Sequence, residues 1–97
     1  TEFADRIQRA AETGRDIVEQ AAATITGDGE TELAHEALDR RDELIAEINT
    51  IERELHDRAV PESHLIALTL ESLTRTAEYG GNIAETSLNT AARNRQL

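Results

Sequence analysis

The chain has 97 residues, which is the size of one small domain. Twenty acidic residues against ten basic ones give a formal net charge of −10, which disfavours contact with the phosphate backbone of nucleic acid and with anionic lipid. The absence of cysteine excludes disulfides, thiolate zinc sites and a cysteine nucleophile. No apolar run approaches the roughly 18 residues of a membrane span, so we predict neither nucleic-acid binding nor membrane insertion.

All ten basic residues are arginine, and lysine is absent. A strongly acidic chain without lysine suits concentrated salt, where repulsion between carboxylates is screened. The first five residues also lack the basic-then-apolar order of a signal peptide. We therefore predict a cytoplasmic protein of a halophilic organism. The missing initiator Met leaves open that these residues belong to a longer chain.

The first segment, about residues 2–26, is predicted to be a helix. Its apolar and small residues recur at steps of four and three, namely Phe3, Ile7, Ala10, Gly14, Ile17 and Ala21. This spacing is typical of a helix that packs along near-parallel neighbours.

A second helix is predicted over about residues 30–58, after the turn signal Gly27-Asp28-Gly29. Asp28 or Thr31 can cap this helix, because a side-chain oxygen accepts hydrogen bonds from its first backbone N–H groups. One side of the helix is apolar and contains Leu38, Leu44, Ile45, Ile48, Ile51 and Leu55.

A third helix is predicted over about residues 62–94, after a break at Pro61. Proline suits a first helical turn because it has no N–H to lose, and Glu62 would lie at the positive end of the helix dipole. The apolar positions again step by four and three: Ile66, Leu70, Leu73, Ala77, Gly80, Ala84, Leu88 and Ala91.

Two adjacent glycines, Gly80 and Gly81, stand inside this third helical pattern. Each costs about 1 kcal/mol relative to alanine, so another interaction has to offset them. We expect a close approach of helices at this point, with Gly14 facing the pair; contact with a ligand is the alternative. Asn82, directly after the pair, is predicted to make a buried hydrogen bond.

Three long helices joined by short connections must run antiparallel to their sequence neighbours. The sequence therefore predicts an all-α fold, an antiparallel up-down-up three-helix bundle that forms a single domain over residues 1–97. Helices of this length expose more apolar surface than one small bundle covers, so we also expect a partner helix or a second copy of the chain.

Few residues suggest metal chemistry. Glu32 and His35 have the Glu-x-x-His spacing of di-iron bundle proteins, but the second such motif that those sites need is absent. Carboxylates four residues apart share a helix face and could hold a hard cation, although a solvated acidic surface explains them better. These pairs are Glu12/Asp16, Asp39/Glu43 and Glu43/Glu47.

The chain contains no nucleophile elbow and no phosphate-binding glycine loop, and we predict that it is not an enzyme.

Residues 73–85 read Leu-Thr-Arg-Thr-Ala-Glu-Tyr-Gly-Gly-Asn-Ile-Ala-Glu, which resembles the third-helix signature of the PhoU domain, a helical-bundle regulator associated with phosphate uptake. Leu73, Arg75 and the run from Asn82 to Glu85 match outright, and Glu78 stands where the family has Asp. Gly27-Asp28, Leu33-Ala34 and the segment from Arg40 to Ile45 extend the likeness over nearly the whole chain as one three-helix unit. The resemblance implies a structural or interaction role for Arg75, Glu78, Gly80, Gly81, Asn82 and Glu85.

PhoU proteins carry Glu/Asp-x-x-x-Asp pairs on their second and third helices that can hold metal ions. The matching positions here are Arg41 and Ile45, then Thr74 and Glu78, so one carboxylate of the family's four remains. An arginine at a ligand position opposes a bound cation by its charge. We therefore expect the family metal site to be degenerate and no cofactor to bind, with Glu78 paired to Arg41 or Arg75. The remaining weak metal candidates are Glu78, Glu32 and His35.

The resemblance implies a non-catalytic regulatory module of phosphate uptake and signalling. Such a module would act by protein–protein contact with phosphate transporter or sensor-kinase components. Two alternatives stay open: a metal-carboxylate bundle using Glu32/His35 or Glu12/Asp16, and a plain oligomerisation bundle of a larger regulator. PhoU proteins commonly carry two three-helix repeats in tandem, so a homodimer of this chain would rebuild the usual six-helix body.

The excess of acidic residues makes stability depend on salt. Raising ionic strength from about 0.1 M to 1 M shortens the Debye length from about 10 Å to about 3 Å, which screens repulsion among the carboxylates. We expect the midpoint of thermal unfolding to be several degrees higher in molar KCl than in dilute buffer. Equal midpoints would contradict the halophilic interpretation.

Overall fold

The computed structural model describes residues 2–26, 31–58 and 61–96, with side chains as far as residue 94. These residues form three helices: α1 (Glu2–Thr26), α2 (Thr31–Arg58) and α3 (Ser63–Gln96). The three predicted helices are confirmed, each to within two residues at either end. The turn signal at residues 27–29 and the candidate cap Asp28 lie outside the described residues, and Thr31 is the first residue of α2.

The helices pack side by side into a rod of 56 × 17 × 16 Å. At one end of the rod Arg58, the last residue of α2, lies 3.6 Å from Glu2 at the start of α1. Towards the other end the Gln20 side chain of α1 donates to the Leu33 carbonyl of α2 at 3.0 Å. Ser87 of α3 donates to the Thr24 carbonyl of α1 at 3.3 Å, and seven residues earlier on both helices Gly80 lies next to Ile17, so α1 and α3 run in the same direction. The up-down-up topology is therefore confirmed.

The core changes character along the rod. From the α2–α3 connection to the middle of the rod the core contains large side chains, and the fully buried ones there are Ile17, Ile48, Ile51 and Leu70. Towards the α1–α2 connection it narrows to alanines: Ala21, Ala34, Ala37 and Ala84. Small side chains let helix axes approach more closely. The first part of the rod is therefore stabilised by burial of large apolar side chains, and the other end by close packing of the helices. No helix in the described ranges is both long and apolar enough to cross a membrane.

The connection between α2 and α3 differs from its prediction in one respect. Pro61 and Glu62 form a turn before α3, which begins at Ser63, so proline precedes the helix instead of occupying its first turn. Glu62 has a φ of 62°, a left-handed conformation that is unusual for a residue with a side chain. Its carbonyl accepts a hydrogen bond from the Ile66 N–H at 3.1 Å, which places Glu62 at the positive end of the helix as expected.

Arg6 joins α1 to α2. Its guanidinium pairs with Glu54 and, through Nη2 at 3.0 Å, with Glu47, two turns away on α2. The hydrogen bonds that Arg6 donates to Glu54 and, to a smaller extent, to Glu47 raise the pKa of Arg6 above its ordinary value. Further along the same groove, Arg40 Nη1 donates to Gln20 Oε1 at 2.6 Å. The groove between α1 and α2 is therefore polar and contains paired charges.

This arrangement predicts a difference between two arginines one turn apart. Arg6→Ala removes both carboxylate contacts and a side chain that is only 15% exposed, and we expect it to lower the free energy of unfolding by about 1 kcal/mol. Arg9→Ala, at an exposed position in the same groove, should change it by less than about 0.5 kcal/mol. Urea unfolding of both variants measures the difference, and equal losses would contradict it.

Candidate functional site

The α3 segment that carries the sequence motif divides into two sides. Gly80 and Gly81, the glycine pair, are buried together with the flanking Ala77 and Ala84. The opposite side exposes a set of polar side chains that we call the outer motif surface: Arg75, Glu78, Asn82 and Glu85. The same segment therefore locks α3 into the bundle and presents side chains of mixed charge to solvent.

Gly80 marks the close approach of α3 to α1. A Cβ atom placed on Gly80 would lie 2.7 Å from Ile17 Cγ2 and 3.4 Å from the backbone nitrogen of Val18. Ile17 is fully buried and its Cγ2 is fixed next to the backbone, so neither neighbour can move aside without separating the helices. Close packing of helices, the expected reason for the glycine pair, therefore explains Gly80.

Gly81 has a different neighbour, Arg41 of α2. A Cβ on Gly81 would lie 2.5 Å from both Arg41 Cδ and Arg41 Nη1. The guanidinium thus lies across the glycine, and it pairs with Glu85 at 3.3 Å and with Asp42 at 3.0 Å. Burial, the largest influence, lowers the pKa of Arg41. The hydrogen bonds and charges of Asp42 and Glu85 together outweigh burial, so the pKa is raised.

Three expectations about this region are wrong. Asn82 is exposed, because it follows the buried Gly81 by one residue and so lies about 100° further around the helix. Gly14 does not face the glycine pair; a Cβ there would contact Thr76 and Leu44 at 3.6 and 3.7 Å. Among the described residues Glu78 is paired with neither Arg41 nor Arg75; Arg41 pairs instead with Asp42 and with Glu85, which lies two turns beyond Glu78 along α3.

The candidate metal ligands lie apart on the surface. Glu32 and His35 are exposed at the start of α2, and Glu78 is exposed on α3. The acidic pairs are exposed as well, with Asp16 3.9 Å from Arg40 and Glu47 bound to Arg6. Within residues 2–26, 31–58 and 61–96, no three His, Asp or Glu side chains come together in a group that could hold a metal ion.

The structure reveals one surface that the sequence analysis did not identify. On the side where α1 and α3 meet, residues of both helices form a strip of mainly apolar, small and hydroxyl side chains, which we call the α1–α3 face. The charged residues Glu2, Arg58 and Glu62 also line the groove where this face begins. Its α1 residues are Ile7, Ala11, Val18, Ala22 and Ile25. Its α3 residues are Leu65, Thr69, Ser72, Thr76, Tyr79 and Ile83. On α3 the signal was present in the sequence as a second repeat with steps of four and three, but its serine and threonines hid it from a search for apolar residues.

The residues of the outer motif surface can form ion pairs and hydrogen bonds with another molecule, because they offer a guanidinium, two carboxylates and an amide. Their backbone is held from behind by the contacts of Gly80 and Gly81, so the donors and acceptors keep fixed spacings along α3. Comparisons of the chain with protein-family models, with curated proteins and with solved structures find no match.

The two glycines should respond differently to alanine. Gly80→Ala forces a Cβ against Ile17 and the α1 backbone, and we expect a loss of about 1–3 kcal/mol in the free energy of unfolding. Gly81→Ala displaces only the flexible end of Arg41 and gains about 1 kcal/mol of helix propensity, so its stability should stay within about 1 kcal/mol of the original. Urea unfolding of both variants provides the comparison, and a Gly80→Ala protein as stable as Gly81→Ala would contradict the close approach.

Proposed function

We propose that the chain is a non-catalytic regulatory module of phosphate uptake and phosphate signalling that works by protein–protein contact through its helix faces. The observation that carries this proposal is the division of the α3 motif. Its two glycines are buried in packing contacts with α1 and α2. The side chains of Arg75, Glu78 and Asn82 are exposed and are available to a partner. A rigid helix that displays fixed polar groups is a common form of protein recognition surface.

The phosphate connection of the proposal rests on the likeness of Leu73, Arg75 and the run from Asn82 to Glu85 to the PhoU signature. On that likeness we propose phosphate transporter or sensor-kinase components as partners, together with a second copy of the chain. A net charge of −10 supports partners other than nucleic acid, and it favours a cytoplasmic setting in a halophilic cell.

The proposal assigns binding to the outer motif surface, and a charge exchange there tests it. The double substitution Arg75→Glu, Glu78→Arg keeps the net charge and preserves an opposite-charge pair three residues apart, so we expect α3 to remain folded. The matched control, Arg53→Glu with Asp57→Arg, makes the same exchange at exposed positions on α2.

The readout is the rate of phosphate uptake in phosphate-replete cells of the source organism. Deletion of the gene should change this rate several-fold, and the original chain and the control variant should both restore it. The Arg75/Glu78 exchange should behave like the deletion although its circular dichroism is unchanged. An unaltered uptake rate after deletion would contradict the phosphate role, and full restoration by the exchange variant would contradict the assigned surface.

A further inference from the structure

The α1–α3 face begins in an open groove of about 830 Å³, which we call the end groove. On α1 it is lined by Phe3, Ile7 and Ala11, which are four residues apart and so share one side of the helix. On α3 it is lined by Leu65 and Ile66. Phe3 is buried and Ile7 and Ile66 are half-buried, whereas Leu65 is 62% exposed. The end groove therefore consists of large apolar side chains that the bundle covers only in part.

The size and lining of the end groove are those of a small-molecule site. Pockets that bind small organic ligands measure roughly 300–1,000 Å³ and are mostly apolar, with a few polar groups. The α2–α3 groove at the same end of the rod measures about 600 Å³, but it is lined by Glu52, His56, His64 and Glu71. An apolar molecule there would remove water from ionisable groups, so the end groove suits it better.

Three charged side chains lie in the end groove, and one of them is uncompensated. Arg58 Nη1 lies 3.6 Å from Glu2, and the guanidinium carbon lies 5.7 Å from the centre of the Phe3 ring. The charge of Arg58 is thus met by a carboxylate and by the face of an aromatic ring. None of the ion pairs among the described residues involves Glu62. The end groove therefore presents one free carboxylate.

The backbone of Glu62 is in an unusual conformation for a residue with a side chain. Its φ of 62° lies in the left-handed region, which glycine enters freely and other residues enter at a cost. The turn itself therefore does not require a glutamate. Strained residues of this kind cluster at ligand-binding sites, and this one lines an apolar groove.

We propose that the end groove binds a small organic cation, a molecule with an apolar body and one ammonium group. The body occupies the space between Phe3, Ile7 and Leu65, and the ammonium group pairs with the Glu62 carboxylate. The bound ligand keeps water from one side of this pair, so the attraction is stronger than on an open surface. A net charge of −10 also raises the local concentration of cations and lowers that of anions. Charge therefore selects a cation over an anion or a neutral molecule with the same body.

Three compounds with one body and different head groups test this inference: phenylbutylamine, phenylbutanol and phenylbutanoate. NMR titrations of the chain in KCl at about 1 M suppress attraction to distant charges, because the Debye length is then about 3 Å. We expect the amine to bind with a dissociation constant below about 1 mM, roughly fivefold more tightly than the alcohol, and the acid to bind most weakly. Tetramethylammonium, a cation without the long apolar body, should bind at least about tenfold more weakly than the amine.

Each contrary result overturns the proposal. Equal affinities for the amine and the alcohol would contradict selection by charge, and tighter binding of the acid would assign the end groove to an anion at Arg58. Tetramethylammonium binding as tight as that of the amine would reduce the effect to general attraction of cations by an acidic chain. The end groove shares no residue with the outer motif surface, so these results are independent of the uptake phenotype of the Arg75/Glu78 exchange.

Two pairs of variants locate the ligand. Glu62→Gln should raise the dissociation constant of the amine about fivefold and change that of the alcohol less than about twofold. Glu71→Gln, the same change in the α2–α3 groove, should leave both within about twofold. Leu65→Ala should weaken the amine and the alcohol alike, by about threefold or more, whereas Leu68→Ala, outside the end groove, should not. Equal effects within either pair would overturn the site.

Glu62→Gly separates binding from folding. Glycine adopts the left-handed conformation without strain, and molar salt screens the attraction of a carboxylate to the helix dipole. We expect the midpoint of thermal unfolding in molar KCl to stay at or above that of the original chain, while amine binding weakens as in Glu62→Gln. A midpoint lower by several degrees would show that the glutamate side chain serves the fold, and unchanged amine binding would show that the ligand does not use it; either result overturns the proposal.

Discussion

The arrangement of α3 depends on the approach of Gly80 to the backbone of α1 at Ile17 and Val18. This approach fixes the height at which the third helix meets the first, because only a residue without a side chain fits there. It also fixes the rotation of α3, since only the side of the helix that bears Gly80 can come this close to α1. The exposure of the outer motif surface follows from that orientation. The same contact thus packs α3 against α1 and turns these polar side chains towards solvent.

Charge is distributed around the rod in a pattern that packing alone does not require. Arginines lie at the seams of α2, where Arg6 and Arg41 hold carboxylates across helix boundaries. The remaining seam, between α1 and α3, has small, hydroxyl and apolar residues on its surface. Surface ion pairs of this kind contribute little individually, so the stability of the bundle depends mainly on its buried core.

The periodicity of apolar residues was enough to predict the helices, their order and most of the core. Phe3, Ile17 and Ile48 were expected inside and are buried there, because a stripe repeating at 3.6 residues can only be covered by neighbouring helices. The prediction from neighbouring positions was wrong within the motif. Asn82 was assigned to the interior from its place beside Gly81, although each residue turns a helix by about 100°.

The contacts between helices could not be predicted from the sequence, because they depend on how far one helix is shifted along its axis relative to another. Whether Gly80 met Gly14 or Ile17 was decided by a shift of three residues along α1, which no local pattern encodes. The pairing of Arg41 with Glu85 instead of Glu78 has the same origin, since the two carboxylates lie two turns apart on α3. The outer motif surface was predicted as a set of residues, and its exposure required the packing of the whole bundle.

The use of arginine alone for every cation at these seams has a chemical consequence. The pKa values of Arg6 and Arg41 are raised from an already high value, so their charge persists at any pH in which the bundle folds. Acetylation, which neutralises lysine amines, finds no lysine side chain among these 97 residues. The positive half of each bridge between helices is therefore permanent, and only acid or dissolved ions can weaken it.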